Sequence, residues 1–187
     1  MARTESIMIP LGTEAPVFSL QDTGGNTVRL GDFDDAPALV VAFICNHCPY
    51  VKHIASELAA FGRECEDRGA AMVAINANDP MVSPDDSPEH MVEEKRKQGY
   101  PFPYLFDAGQ DVARAYGAVC TPDFFLFDAE RRLVYHGRFD GSTPGRTDPV
   151  TGDELRQAVD DVLKGKAPPD EQIPSMGCSI KWRSEAG

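Results

Sequence analysis

The chain has 187 residues, 42% of them hydrophobic, which is enough to bury a core without crosslinks, so a single domain over residues 1–187 is expected. Its 30 acidic against 18 basic side chains give a net charge of -12, which argues against nucleic acid and anionic membranes as partners, since both need basic surface. No run reaches the roughly 18 consecutive apolar residues of a membrane helix, and Met1 to Pro10 lack the apolar core of a secretory signal, so the expected location is cytoplasmic.

Phe18, Leu20, Val28 and Leu30 flank the polar turn 22–26 and predict a hairpin, so residues 1–35 read as an N-terminal extension. Residues 38–44, Ala-Leu-Val-Val-Ala-Phe-Ile, are apolar and β-branched enough for a buried central strand. Directly after them stands Cys45-Asn46-His47-Cys48. Pro49 then opens a stretch in which Val51, Ile54, Leu58, Phe61 and Cys65 recur at steps of three and four, the spacing of one helix face. Residues 70–76 are a second buried strand, 78–88 a Pro-, Asp- and Ser-rich loop, and 88–98 a helix capped by Gly99. A helix over 108–116 stops at Gly117. Thr121-Pro122 precedes an aromatic strand, 123–128, whose partner is 133–139 across the turn 129–132. Leu155, Ala158, Val159, Val162 and Leu163 mark the last helix, and the tail 165–187, with Pro168, Pro169 and Pro174, is expected to run extended over the surface. The clusters Asp32-Asp34-Asp35 and Asp85-Asp86 read as solvated loops.

The dithiol at a strand-to-helix junction carries the chemistry. Unpaired N–H groups and the positive end of the helix dipole stabilise a thiolate there, lowering a cysteine pKa from about 8.5 into roughly the 3.5–7.5 range. The spacing of Cys45 and Cys48 lets the second thiol release a mixed disulfide held on the first. His47 is a candidate modulator, as hydrogen-bond donor or positive charge beside the thiolate. No Asp or Glu lies between Ala36 and Ser56, so a proton relay must come from His47, another residue or water. Five cysteines, an odd number in a chain expected in a reducing compartment, read as catalytic or free thiols rather than a crosslinked framework. Cys65 falls on the apolar helix face and reads as core. Cys120, two residues before Pro122, is a second candidate modulator. Cys178 is expected to pack alongside Trp182, with a resolving role as the alternative.

Three segments together, 43–52 around the dithiol, 100–105 (Tyr-Pro-Phe-Pro-Tyr-Leu) and 120–128 around Thr121-Pro122, resemble the thioredoxin-like superfamily, and within it a peroxiredoxin-like branch of the alkyl hydroperoxide reductase/thiol-specific antioxidant (AhpC/TSA) grouping. Residues 177–182, Gly-Cys-Ser-Ile-Lys-Trp, resemble the same branch. The resemblance implies an α/β fold, a three-layer α/β/α sandwich with a central mixed sheet. It also implies that Pro122 is a cis-proline facing the dithiol and that Thr121 and Pro122 present backbone to an extended substrate. Peroxiredoxins carry a Thr or Ser three residues before the peroxidatic cysteine and an arginine near the start of the late strand. Cys45 and Pro122 stand at those places here, which argues against fast peroxide reduction. Which thiol attacks stays open at this level: Pro49 disfavours helical backbone at Cys48 and so places it at the N-cap, whereas the resemblance implies attack by Cys45 and resolution by Cys48.

The sequence therefore predicts a thiol–disulfide oxidoreductase acting on a protein or low-molecular-weight disulfide, with a reductase or thioredoxin as electron donor and no cofactor. The alternatives are a peroxiredoxin-like antioxidant peroxidase and a metal-binding protein of this fold. For the last, Cys45 and Cys48 with His47 or His53 offer soft ligands, but no second paired motif completes a tetrahedral site, and none is expected.

Overall fold

A computed structural model describes residues 3–184. In chain order its elements are β1 (Arg3–Glu5), β2 (Ser19–Asp22), β3 (Thr27–Arg29), β4 (Leu39–Phe43), α1 (Pro49–Asp67), β5 (Ala71–Asn76), α2 (Pro88–Gln98), β6 (Tyr104–Phe106), α3 (Asp111–Tyr116), β7 (Cys120–Thr121), β8 (Asp123–Phe127), β9 (Leu133–Gly137), α4 (Asp153–Leu163) and β10 (Met176–Ser179).

The apolar run forms β4, in the interior of a seven-stranded mixed sheet of order β3-β2-β6-β5-β4-β8-β9. It pairs parallel with β5 on one side and antiparallel with β8 on the other. Because successive side chains of a strand point to opposite faces, β4 serves two cores. Val40, Ala42 and the adjoining Ile44 pack among residues of α1, α2 and α4. Leu39, Val41 and Phe43 pack with α3 and the ring of Phe18. These are the two helical layers expected of a thioredoxin-like α/β/α sandwich. The hairpin β2–β3 joins the sheet through β6.

Helix α1 buries Val51, Ile54, Leu58, Phe61 and Cys65, the residues whose spacing predicted it. Gly62, on the same face, is pressed against Pro101 and Phe102. Gly99 and Gly117 end α2 and α3 in left-handed backbone, with φ of 69° at each, the conformation that favours glycine at a C-cap.

The tail departs from expectation. Instead of lying wholly on the surface, its residues 176–179 form β10, the middle strand of a separate three-stranded sheet of order β1-β10-β7. Cys178 stands opposite Arg3 on one side and Thr121 on the other. Gly177 makes this possible, since a Cβ at that position would lie 1.8 Å from the Thr121 carbonyl oxygen.

Candidate active site

The pairing of β4 with β8 assembles the site. Phe43 stands opposite Asp123 in that antiparallel register, so the chain leaving β4 and the chain entering β8 meet beyond the last pair. Cys45 and Thr121 are thereby neighbours, with the Cys45 Sγ 3.2 Å from the Thr121 hydroxyl. The Thr121–Pro122 peptide bond is cis, as the resemblance implies. Cys48 is the N-cap of α1, with extended backbone, and Pro49 occupies the first turn. All five cysteines are free thiols. Both members of the dithiol are buried, Cys45 at 2% and Cys48 at 0% exposure.

The two thiols are electrostatically unequal. Cys48 is drawn down to about 5, first by the hydrogen bond that the Cys45 thiol donates to it and, against the cost of burial, by donors from the Cys178 thiol, the Val51 N–H and the Cys178 N–H. Cys45 moves the other way. Its proton is held by Cys48, and burial and the nearby negative charge of Asp86 disfavour its thiolate further, while the Thr121 hydroxyl opposes them weakly. The protonated Cys48 donates to the Thr121 carbonyl, at 3.4 Å. One acceptor at that length is outweighed by four donors, so the charge sits on Cys48.

Asp86 is the functional residue that sequence reasoning missed. Read as part of a solvated loop, it is instead fully buried, whereas Asp85 beside it and Asp32, Asp34 and Asp35 are exposed. Its Oδ1 accepts from the Asn46 backbone N–H at 2.6 Å and from Asn76 Nδ2 at 3.1 Å. Its Oδ2 accepts from Asn78 Nδ2 at 2.9 Å, Ser83 Oγ at 2.7 Å and His47 Nδ1. Burial alone would raise this carboxyl, but the bonds from His47, Asn46, Asn78 and Ser83 overrule it and bring it to about 2. A carboxylate therefore does lie beneath the dithiol, supplied from beyond β5. The Asn76-Ala77-Asn78 segment at the end of that strand was the available signal, since two amides closing a buried strand need a buried acceptor.

His47 is turned toward Asp86, and Ser83 Oγ also reaches its Nδ1, at 2.9 Å. Ligand atoms of Cys45, His47 and Asp86 lie within 4.8 Å of one another. Sulfur, imidazole and carboxylate suit zinc in kind, but a metal there would have to displace hydrogen bonds that already fill both oxygens of Asp86.

Cys120 is buried in β7, opposite Ser179. Burial and the charge of Asp123 push its thiol up, and its hydrogen-bond partner is Ser6. No hydrogen bond joins it to the dithiol among the described residues. Cys65 is core as expected, pushed up to about 12 by burial. The placement of Cys178 is corrected: it shares the apolar cluster of Cys45 and Cys48, whereas Trp182 packs on the opposite core under Arg114, 5.1 Å from the guanidinium carbon. Pro122 lines a groove with Tyr50, His53, Arg138 and Met176. The backbone edge of Thr121, expected to present itself to substrate, is paired with β10.

Comparison with known proteins bears on the fold and the family. A structure of an uncharacterized conserved protein from Geobacillus kaustophilus superposes with a TM-score of 0.97, at 49% identity, over 100% of this chain and 99% of that one. The thioredoxin domain of a thiol-disulfide oxidoreductase from Bacteroides vulgatus superposes with a TM-score of 0.65 at 19% identity, covering 83% of this chain and 99% of that domain, a likeness of fold. Thiol-disulfide oxidoreductase ResA of Halalkalibacterium halodurans is 24% identical over 123 residues, 66% of this chain and 65% of ResA, so just under two thirds of that relative is spanned. The model of the AhpC/TSA family matches residues 11–136, which takes in the hairpin, the dithiol and the cis-proline strand, and the chain belongs to that family of thioredoxin-fold proteins.

Proposed function

We propose that the chain is a thiol–disulfide oxidoreductase whose Cys45–Cys48 dithiol exchanges with the disulfide of a protein or small-molecule partner. The observation that carries this reading is the placement of the two thiols, Cys48 at the N-cap of α1 and Cys45 before it, both against Thr121, an arrangement that draws Cys48 down to about 5 and holds the Cys45 proton. The Cys48 thiolate attacks the partner disulfide, forming a mixed disulfide and expelling the first partner thiolate, which takes up a proton. Cys45 gives up its proton to that expelled thiolate, by way of water or the His47–Asp86 pair, and attacks the Cys48 sulfur, with the Thr121 hydroxyl donating to the Cys45 thiolate. The Cys45–Cys48 bond closes and the second partner thiol leaves. This assigns attack to Cys48, where the resemblance of the sequence had implied Cys45. A reductase or thioredoxin would return two electrons to the site.

Mass spectrometry after mild oxidation with glutathione disulfide tests the reading. A Cys45–Cys48 bridge that dithiothreitol reverses is expected, with a mixed disulfide trapped on Cys48 when Cys45→Ser and Cys178→Ser are combined. A wild-type protein that exchanges with no disulfide would sink it.

One observation favours a second reading, peroxide reduction. The Thr121 hydroxyl at 3.2 Å from Cys45 supplies a polar group that the local sequence before Cys48 lacks. Cys48 would take one oxygen from the peroxide as sulfenate and release the alcohol or water, after which Cys45 would condense with it, losing water. No arginine hydrogen-bonds either sulfur among the described residues, so peroxide consumption slower than disulfide exchange is expected. A fast peroxide burst that needs Cys48 and survives loss of Cys45 would reverse the ranking.

A further inference from the structure

Three thiols, not two, meet at the site. Cys45, Cys48 and Cys178 are buried, at 2%, 0% and 4% exposure, on the same side of the main sheet, in the large apolar cluster that also takes in Cys65. The strand register fixes the third. Cys178 stands opposite Thr121, the residue whose hydroxyl touches Cys45 and whose carbonyl is 3.4 Å from the Cys48 sulfur. Gly177 brings β10 so close that no side chain fits between it and the Thr121 carbonyl. In thiolate form, Cys48 accepts from both the thiol and the backbone N–H of Cys178.

The same contacts seal the site. Cys48 has no exposed surface, and β10, whose Cys178 stands opposite the Thr121 that touches both thiols of the dithiol, is part of its cover, so displacing β10 from between β1 and β7 opens a path to the sulfur. β10 has four residues and belongs to a small three-stranded sheet separate from the main one, and a short element outside the main sheet is the kind of segment that opens locally without global unfolding. When β10 returns, it carries a thiol to the sulfur that has just been modified.

We propose that Cys178 is a third redox thiol of this site, resolving a mixed disulfide on Cys48 into a Cys48–Cys178 bridge as β10 docks. The proposal rests on the disulfide-exchange reading for its source of mixed disulfide. Cys178 loses its proton to the first partner thiolate expelled by Cys48 and attacks the Cys48 sulfur. The Cys48–partner bond breaks as the Cys48–Cys178 bond forms, and the second partner thiolate departs. The partner disulfide is reduced by two electrons and the two cysteines are oxidised by two.

The test uses the full chain with Cys45→Ser, which leaves Cys48 and Cys178 as the only thiols of the site. Two oxidants are applied in parallel, glutathione disulfide, which acts through a mixed disulfide, and diamide, which couples neighbouring thiols directly. After alkylation and tryptic digestion without reductant, a peptide containing Cys48 linked to one containing Cys178 is expected from both. Adding Cys178→Ser is expected to lengthen the lifetime of the Cys48–glutathione adduct by at least about tenfold, since an intramolecular thiol competes at millimolar or higher effective concentration. A folded Cys45→Ser protein that keeps glutathione on Cys48, and forms no Cys48–Cys178 link with diamide, overturns the proposal while leaving disulfide exchange standing. A link formed by diamide with no reaction toward glutathione disulfide, in variant or wild type, overturns the exchange reading and the resolving role built on it. Should Cys45→Ser fail to fold by circular dichroism, diamide-treated wild type is mapped instead, and the absence of any bridge to Cys178 overturns the proposal.

Discussion

Replacing Asp86 by Asn removes one charge from a fully buried site and leaves the shape nearly unchanged. The cost follows from two features of the structure. The carboxyl is held at about 2 against an ordinary 3.8, and at 1.36 kcal/mol for each tenfold in proton affinity its ionised form contributes about 2 kcal/mol to the folded state. An amide also cannot replace the acceptor pattern. Oδ1 and Oδ2 each receive at least two hydrogens, so the Asn NH2 faces donors from Asn46 and Asn76 or from Asn78 and Ser83. Buried donors left unpaired cost about 1–3 kcal/mol each, so the two donors and the lost charge together cost at least about 4 kcal/mol, within the range of about 3–5 kcal/mol for breaking a buried charged pair. Urea unfolding followed by circular dichroism reads this directly. The acid limb gives a second check. The folded-state pKa lies below the unfolded one, so the contribution is full above about pH 5 and fades as pH falls from about 4 toward 2. Wild type should lose its advantage over Asp86→Asn across that window. Removing the negative charge should also bring the Cys45 thiol down, since Asp86 is one of the groups that hold it up. A variant within about 1 kcal/mol of wild type, with the same acid limb, would refute the view of Asp86 as a buried ionised anchor of the dithiol loop.

Thiolate absorbance at 240 nm in wild type should appear as pH rises through about 5 and be missing in Cys48→Ser; a first transition near 9 would contradict the assignment of the charge to Cys48. Gly177→Ala, with a Cβ 1.8 Å from the Thr121 carbonyl oxygen, should undock β10 and raise the alkylation rate of Cys48 by at least about tenfold while the main sheet survives. Unchanged alkylation would mean that β10 does not gate the site. Gly62→Ala, whose Cβ would meet Phe102 at 2.7 Å and Pro101 at 2.9 Å, should cost about 1–3 kcal/mol in urea titration, with thiol reactivity unaltered. Cys65 and Cys120, both buried and pushed up, should remain unlabelled by iodoacetamide at pH 7 when Cys48 reacts; equal labelling would show that burial does not protect them.

The dithiol was legible because its determinants are local. An apolar run, a proline and a three-four repeat place two cysteines at a helix start whatever the rest of the chain does. Asp86 was not, because its burial depends on a carboxylate from the loop after β5 folding back under residues 46 and 47, and an Asp-Asp pair beside prolines has the composition of an ordinary loop. β10 escaped for a related reason. Met-Gly-Cys-Ser has neither the length nor the alternation of a strand, and only the close approach that Gly177 permits to Thr121 turns it into one. The strand start at Pro122 was readable; that the chain would cover the adjoining backbone edge with its own tail was a matter of long-range register.

The ribbon that joins β1, β10 and β7 also bears on how the protein comes to be. Arg3 pairs with Cys178, so this small sheet brings together opposite ends of the described chain, whereas β4, α1 and β8 complete the rest of the site from residues far closer in sequence. Pairings of such span form late in folding, after the loop they close has been shortened by other contacts. On that ordering, the contacts that seat Cys48 at its helix are expected to form before β10 arrives to cover it, so the redox conditions present during folding, and not only those met by the closed molecule, bear on the state of the thiol.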